Sequence, residues 1–448
     1  MSSCFLESLY KLDGLSIIMV FLIAYIGLCV IGFASRYMKG DKKYRSFFIH
    51  LIGLIFSVSL MVIADNLWLL LGASCFSNWI LVRLMIHNPT WQAAKASGVI
   101  AGKNHVLGAI SMASAFGLLF FETGQSTVSS IIYQNNQSIV IEISLLLVLL
   151  AAMMQSALWP FHKWLIGSLN SPTPVSSIMH AGLINGGGFI LVRFAPLYLE
   201  NNKLMVAIFL VGMVSAVVGT LWKLMQSDVK RMLACSTMAQ MGFTFVQCGL
   251  GLFPLAVAHL FLHGMFKAHL FLGSGSAAQE KRLDLSYPPK PLSFICALLS
   301  GVFASFVFAS VTNKSWGAGD STLVLMMIVL IAGTQLALPL LRTVNLRNLL
   351  SSCGITAAAA LLYGASTQFI ALTLAPMQLM QAQPLNIFHI LGMVVLVLAW
   401  LCMLFVRNSS KNTNNYPLWM KKAYVKALNS SQPCADTITS HRNHYQYK

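Results

Sequence analysis

Charged residues are scarce in this chain, and acidic residues are the scarcest. Only 9% of the 448 residues are charged, and Asp and Glu together number 12. In an ordinary soluble domain about a quarter of the residues are charged. Hydrophobic residues make up 57% of the chain, and the mean hydropathy is +0.73. This composition excludes an ordinary soluble domain and predicts an all-α polytopic membrane protein.

Motifs for metals and nucleotides are missing as well. The nine cysteines are scattered, with no CxxC pair and no metal-ligand spacing, so we predict no disulfide framework and no zinc or iron–sulfur site. The chain has no Walker A motif and no GxGxxG after a strand. The three glycines at 186–188 lie in an apolar segment, where glycine permits close helix packing. We therefore expect no metal and no cofactor in this chain.

Long apolar runs follow one another almost without pause. About 20 apolar residues cross a bilayer as a helix, and the pattern predicts about 13 such spans. Their limits are 15–34, 47–64, 66–86, 97–120, 139–158, 173–195, 204–222, 231–250, 252–275, 291–311, 321–340, 347–373 and 386–406. The first run lacks a basic leader and a cleavage site, which predicts a retained helix. We thus expect a transmembrane domain at 1–407 and a polar, basic tail at 408–448.

Basic residues are concentrated in alternate connections between these runs. The basic connections lie at 36–45, 83–95, 163, 223–231, 281–290 and 342–347, and the tail is basic too. By the positive-inside rule, this alternation predicts an outside N-terminus and a cytoplasmic tail. The net charge of +17 is mostly this topology signal, aided by anionic lipid, and it requires no nucleic-acid partner.

Residues 155–193 interrupt the apolar pattern. Between apolar segments this stretch contains Pro172, Pro174 and His180. Lipid does not tolerate unpaired backbone groups, so such a break must be buried in protein or line a wet cavity. Many transporters build their ion or substrate path from interrupted helices. We therefore predict a broken helix at Pro172, Pro174 and His180.

The strongest set of ionisable residues lies in HLFLHGMFKAH at 259–269. His259, His263 and Lys267 are spaced i, i+4 and i+8, a spacing that lines one face of a helix. Histidine changes charge near neutral pH, and ionisable groups inside a membrane are usually functional. The pattern favours a proton relay. The alternative is that neighbouring carbonyls satisfy these groups and that they only fix packing.

Two single lysines are weaker candidates for residues of an ion path. Lys230 begins the eighth span beside Asp228 and Arg231, where the alternative is a helix cap with basic topology markers. Lys103 lies in a predicted Gly-Lys-Asn turn in the fourth span, and His105 follows it. Both lysines stay candidates for an ion path. Asp65 and its neighbour Asn66 are most simply a tight turn between two spans.

Several of these stretches resemble one family of membrane subunits. The matching stretches are RYMKGD at 36–41, ADNLWLLLG at 64–72, PFHKWL at 160–165, PTPVSSIMHAG at 172–182, MQSDVKRMLACSTMAQMGF at 225–243 and HLFLHGMFKAHLFLGSGS at 259–276. They are similar to the proton-conducting membrane subunits of respiratory complex I, Mrp-type sodium/proton antiporters and hydrogenase complexes. The resemblance covers roughly 15–280 and implies an antiporter-like fold with discontinuous helices.

The resemblance also implies roles for matching positions. Lys230 matches a lysine that links the broken helix to a central polar axis. His259, His263 and Lys267 match the axis itself, and Pro174 with its neighbours matches the helix break.

Two departures from the family pattern concern charged residues. Where the family usually has a lysine, this chain has Gln155, in QSALWP. Where complex I subunits carry a glutamate, the stretch reads GASCFSNWIL, without an acid. The resemblance therefore implies that a glutamate–lysine pair is missing here.

Within the family, HAGLINGGGFILVRFAPL at 180–197 looks most like the DabB subunit of a two-component inorganic carbon pump. That resemblance implies uptake of CO2 or bicarbonate driven by a cation gradient, most simply of protons, in a bacterial inner membrane. It also implies a peripheral cytoplasmic DabA-like zinc protein as partner. The alternatives are an ion-translocating subunit of an NADH-quinone oxidoreductase or Mrp antiporter complex, and a non-conducting structural subunit.

Overall fold

The computed structural model describes residues 9–134, 136–276, 288–406 and 417–438, and in these ranges the chain is helical, with isolated bridges and no strand. The helices are α1 Gly14–Tyr37, α2 Tyr44–Ile63, α3 Leu67–Met85, α4 Gln92–Thr123, α5 Val128–Gln134, α6 Ile139–Gln155, α7 Lys163–Ile166, α8 Thr173–Ile178, α9 Asn185–Arg193, α10 Ala195–Leu199, α11 Asn202–Met225, α12 Val229–Gly249, α13 Phe253–Leu272, α14 Pro291–Thr312, α15 Thr322–Ala337, α16 Leu346–Thr373, α17 Ile387–Val406 and α18 Leu418–Ser430. The predicted all-α membrane class is confirmed.

Each predicted span coincides with a helix or, for 173–195, with an interrupted helix. In the described part of the chain, ten helical segments are long and apolar enough to cross a membrane. Ile139–Gln155 and Thr322–Ala337 are shorter apolar helices, and α12 is rich in polar residues. The count of 13 spans stays a prediction.

Short polar side chains begin several of these helices. The side chains of Asn66, Asn201 and Asp228 accept hydrogen bonds from backbone N–H groups in the first turns of α3, α11 and α12. Such caps satisfy donors that have no partner within the helix. Asp65 and Asn66 lie in the short connection at 64–66, between α2 and α3, and Asn66 caps α3.

The fourth span differs from the expectation. The predicted Gly-Lys-Asn turn at 102–104 is wrong, because α4 runs without a break from Gln92 to Thr123. A single glycine costs a helix only about 1 kcal/mol, which the flanking helix formers outweigh. Continuous helix also fixes the faces on which the neighbouring side chains lie. Lys103 is exposed, whereas His105 is buried.

The interrupted segment occupies the centre of the bundle. It consists of α8, a single π-helical turn at Met179–Leu183 and α9. Its most apolar window is 100% buried, whereas the other nine candidate spans bury between 22% and 56%. Protein therefore surrounds the break on all sides, the condition under which a membrane interior tolerates irregular backbone. Pro172 precedes the first turn of α8 and Pro174 lies within that turn, where a missing N–H costs nothing.

Close packing holds α9 against α6. A side chain at Gly187 would place its Cβ 2.3 Å from the Ala152 carbonyl oxygen and 2.3 Å from the Ser156 hydroxyl oxygen. Only glycine allows this approach of the two backbones. The Ser156 hydroxyl also donates to the Ile184 carbonyl, at 3.0 Å. The close packing predicted for the glycine run is thus present at Gly187.

Polar contacts join the described part of the tail to two of the connections between helices. Asn170 donates to the Thr437 carbonyl at 2.7 Å, and Arg231 donates to Gln432 at 2.8 Å. The described part of the tail therefore packs on the connections that precede α8 and α12. Which side of a membrane this face meets stays a prediction, as does the boundary between the domain and its tail. Lys281, Arg282 and the tail at 408–416 and 439–448 lie outside the described residues.

Candidate functional site

A buried lysine lies beside the broken helix. Lys267 on α13 is fully buried, and its Nζ donates a hydrogen bond to the Leu233 carbonyl of α12 at 3.1 Å. A buried ammonium requires such partners, because it gives up its hydration shell. The predicted candidate is therefore an interior group held by one backbone oxygen.

The π-helical turn brings His180 to the same place. Its Nδ1 lies 3.1 Å from the hydroxyl oxygen of Thr237, and its ring stacks on Phe271 with centroids 4.2 Å apart. The Thr237 hydroxyl donates to the Leu233 carbonyl at 3.0 Å. Since a hydroxyl has one proton, Nδ1 of His180 must be the donor to Thr237. Thr237, which His180 contacts, and Lys267 thus both donate to the Leu233 carbonyl. Single π turns are frequent at functional sites.

The other two residues of the predicted stripe extend the cluster along α13. The rings of His259 and His263 stack with centroids 5.9 Å apart, so the i, i+4 spacing does place them on one face. His263 is buried, and neither ring nitrogen has a hydrogen-bond partner in the described residues. His259 is half-buried against the edge of Phe243. We call His180, His259, His263 and Lys267 the buried basic cluster.

The members of the cluster act electrostatically on one another. His263 interacts with the charges of Lys267, His259 and His180, and His180 also interacts with that of Lys230. Lys230 lies half-buried in the first turn of α12. Like charges at this range oppose each other, so protonating one member disfavours protonating the next. Such a cluster is suited to passing single protons along and poorly suited to holding several.

Lys103 is the candidate that the structure does not bring to this cluster. It lies on the exposed face of α4, whereas the cluster is formed by the π-helical turn, α12 and α13. No contact in the described residues links Lys103 to the other candidates. Its predicted place in an ion path gains no geometric support.

Gln155 is half of a reciprocal amide pair. Asn78 donates to Gln155 Oε1 at 3.0 Å, and Gln155 Nε2 donates to Asn78 Oδ1 at 3.2 Å and to the Leu183 carbonyl at 3.2 Å. Asn78 belongs to the stretch GASCFSNWIL, in which the resemblance implies a missing acid. Two neutral amides are thus in contact where the resemblance implies that a glutamate–lysine pair is missing. The pair anchors α3 and α6 to the carbonyl end of the π-helical turn.

We expect Gln155→Ala to lower stability while retaining most transport activity. It leaves the Asn78 amide and the Leu183 carbonyl without their partner, which costs about 1–3 kcal/mol. A neutral amide cannot hold and release a proton, so the pH dependence of transport should not change. Chemical denaturation in detergent, together with a transport assay, measures both effects.

The matched control removes the other amide as well. The double variant Asn78→Ala with Gln155→Ala should cost less than the sum of the single variants, because no unpaired amide side chain remains. Loss of transport by Gln155→Ala at normal stability would contradict this expectation and make the amide part of the path. Gln155→Glu and Gln155→Lys then test whether a titratable group is tolerated there.

Three polar side chains that support the candidate site were not among the predicted site residues. Thr237 was not singled out, because a threonine in a span is common and only its contact with His180 gives it a role. Asn78 carried a signal, an amide in an apolar run, but its partner lies 77 positions away. Asn185 donates to the Ala181 carbonyl at 2.7 Å and so braces the π-helical turn. Within the described residues, no group of His, Cys, Asp or Glu is arranged to hold a metal ion.

Two models of known protein families match parts of this chain. A sequence model described as NADH:quinone oxidoreductase/Mrp antiporter, transmembrane, matches residues 64–287. A second, described as NADH-ubiquinone oxidoreductase (complex I), chain 5 N-terminus, matches residues 5–48. The first match contains the broken helix, the amide pair and the whole buried basic cluster.

Individual relatives agree with these matches. The chain is 38% identical over 275 residues to the probable inorganic carbon transporter subunit DabB of Bacillus subtilis, covering 60% of this chain and 54% of that protein. It is 32% identical over 324 residues to the chloroplastic NAD(P)H-quinone oxidoreductase subunit 5 of Brachypodium distachyon, covering 70% and 43%. A solved Mrp complex from Dietzia sp. DQ12-45-1b has a similar fold, with a TM-score of 0.62 at 20% identity, covering 93% of this chain and 51% of that one. The chain spans about half the length of these proteins.

Proposed function

Because the chain belongs to the NADH:quinone oxidoreductase/Mrp antiporter family of membrane subunits, we propose that it is the ion-conducting membrane subunit of a two-component inorganic carbon uptake system. A proton gradient would drive the uptake of CO2 or bicarbonate. A peripheral DabA-like zinc protein on the cytoplasmic side would carry out the hydration chemistry. The N-terminus would face outside and the tail would face the cytoplasm of a bacterial cell.

One observation carries the ion-conducting part of this proposal. His180, His263 and Lys267 lie buried around an interrupted helix. His180 and Lys267 are linked through Thr237 and the Leu233 carbonyl. A proton that enters near Lys230 would pass to His180 and Lys267 and continue along α13 to His263 and His259. Each transfer leaves the donor neutral and charges the acceptor, so one positive charge moves along the cluster. Movement of one charge across 100 mV releases about 2.3 kcal/mol, enough to bias a hydration equilibrium by more than about tenfold.

The substrate part is supported by the named relatives. The similarity to a probable inorganic carbon transporter subunit reaches 38% identity and spans the cluster. The similarity to a quinone oxidoreductase subunit favours the second candidate, a subunit of a respiratory or Mrp antiporter complex. The neutral Asn78–Gln155 pair favours the third, a structural subunit that does not conduct.

Growth of a carbonic-anhydrase-deficient bacterium in air tests the proposal. We expect no growth with this chain alone and restored growth when it is expressed with the DabA-like zinc protein of the same genome. Collapsing the proton gradient with an uncoupler should stop bicarbonate accumulation in the rescued cells. Rescue by this chain alone would contradict the need for a partner. Sodium/proton exchange without rescue would favour the antiporter candidate.

A further inference from the structure

A second polar site lies apart from the buried basic cluster, in a small cavity between α3, α4 and α6. Its polar lining consists of Ser74, Asn78, His105 and Gln155, and Met112 and Ile190 lie among its apolar lining. The space open to the centre of a water molecule is about 20 Å³. One water requires about 10–15 Å³ and two to four polar partners. Both the size and the lining of this cavity suit bound water.

His105 is the lining residue whose hydrogen bonds are unaccounted for. It is only 5% exposed, and neither ring nitrogen has a hydrogen-bond partner in the described residues. The ring is held in place by Trp164, edge to face, with centroids 4.6 Å apart. Trp164 is itself fixed by a hydrogen bond to the Met154 carbonyl at 3.1 Å. A buried polar group without a partner is costly, and water in this cavity would supply the hydrogen-bond partners that His105 lacks.

The other groups around the cavity are unsuited to proton exchange at neutral pH. Asn78 and Gln155 are amides engaged with each other, and Ser74 donates to the Leu70 carbonyl at 2.7 Å. Cys75 is the other titratable lining residue, and thiols ionise at higher pH than imidazoles. None of the lining residues is an Asp, Glu, Lys or Arg. His105 is therefore the lining group whose imidazole can accept a proton on one ring nitrogen and release one from the other.

We propose that this cavity is a hydration site in which His105 exchanges protons with bound water, as a proton station of the translocation path. The role in translocation rests on the proposed function. A hydronium ion gives its proton to the free ring nitrogen and leaves as water. The imidazolium then releases the proton of its other nitrogen to a second water, which becomes hydronium. One proton enters and one leaves, and the ring returns to the neutral state as the other tautomer.

Water contact is tested without any transport assay. The full chain carrying 15N-labelled histidine is placed in nanodiscs, and the ring signals of His105 are assigned by their loss in His105→Gln. We expect the His105 ring protons to exchange rapidly with water. His389 is the matched control, because it is buried, has unpartnered ring nitrogens and lies outside this cavity. Ring protons of His105 that exchange no faster than those of His389 would overturn the proposal.

Proton flux into liposomes that contain the full chain together with its DabA-like partner tests the role in translocation. His105→Gln should reduce flux by about tenfold or more, whereas His389→Gln should leave it unchanged. In His105→Ala, added imidazole should restore flux, while pyrazole, a ring of the same size and a far weaker base, should not. The proposed role of His105 in translocation would be overturned by unchanged flux in a folded His105→Gln variant. Equal rescue of His105→Ala by imidazole and pyrazole would overturn it as well. If the wild type does not conduct protons, the proposed function and the station both fail, and the exchange measurement alone decides the hydration site.

Discussion

Lys267→Met is expected to abolish bicarbonate accumulation while leaving a normally folded protein. Lys267 is fully buried, and its amine has one hydrogen-bond acceptor, the Leu233 carbonyl. Replacing a buried charge by an apolar side chain of similar length removes a desolvation cost and is often neutral or stabilising. A lost proton-transfer group, in contrast, typically reduces a rate by about 10²-fold or more. Uptake of labelled bicarbonate by cells that express both components measures the loss.

One further variant separates the loss of proton transfer from the loss of positive charge, and a second is a control. Lys267→Arg keeps a positive charge but cannot release its proton, so it should fail as Lys267→Met does. Lys203→Met, on an exposed lysine in the first turn of α11, should leave uptake unchanged at equal abundance. Full uptake by Lys267→Met and by His263→Gln at normal abundance would show that the cluster only fixes packing.

Arg193→Met is expected to cost about 3–5 kcal/mol of stability, the range for breaking a buried ion pair from one side. Arg193 is 2% exposed at the end of α9. It pairs with Asp13 at 2.5 Å and donates to the Ser16 hydroxyl at 2.8 Å and to the Val62 carbonyl at 3.1 Å. The pair thus fastens the broken helix to the ends of α1 and α2. Denaturation in detergent measures the loss.

The same pair predicts how stability varies with pH. Burial raises the pKa of Asp13, but the Arg193 charge and the hydrogen bonds from Ser16 and Arg193 outweigh it and hold the pKa below its ordinary value of 3.8. A depressed pKa means that the stabilisation is present above pH 3.8 and is lost as pH falls through the folded-state value. Arg193→Met should flatten this acid-side loss.

An exposed arginine provides the control for the ion pair. Arg83 lies on the outer face of α3 over the Trp79 ring, 5.9 Å from its centroid. Arg83→Met should change stability by only about 0.5 kcal/mol or less, as is usual for surface substitutions. If Arg193→Met cost no more than Arg83→Met, the ion pair would contribute nothing to the attachment of the broken helix.

The sequence predicted which site residues share a face of α13, but it did not predict the contacts between site residues on different helices. The spacing of His259 and His263 defines one face of a single helix, and their rings do stack. His180 was predicted as part of the helix break, and its contact with Thr237 came from the fold. Spacing within one helix follows from helical geometry alone, whereas contacts between helices depend on their crossing and rotation.

Lys103 and His105 show the same limit within three positions of sequence. Both are polar residues in one apolar span, and the sequence pattern did not distinguish one from the other. The helix exposes Lys103 and buries His105. In water, the apolar stripe of a helix reveals its inward face. A helix in lipid is apolar all round, so its sequence pattern says little about which polar residue faces the interior.

By itself, the sequence determined the all-α membrane class, the positions of the helices and the place of the break. These follow from composition, from the length needed to cross a bilayer and from proline and capping residues, all of them local properties. Only the tertiary structure decided that Asn78 meets Gln155, that Lys267 reaches the Leu233 carbonyl beside the Thr237–His180 contact, and that Arg193 reaches Asp13. The physical reason is that these contacts join residues far apart in the chain, and their partners are fixed only when the helices pack.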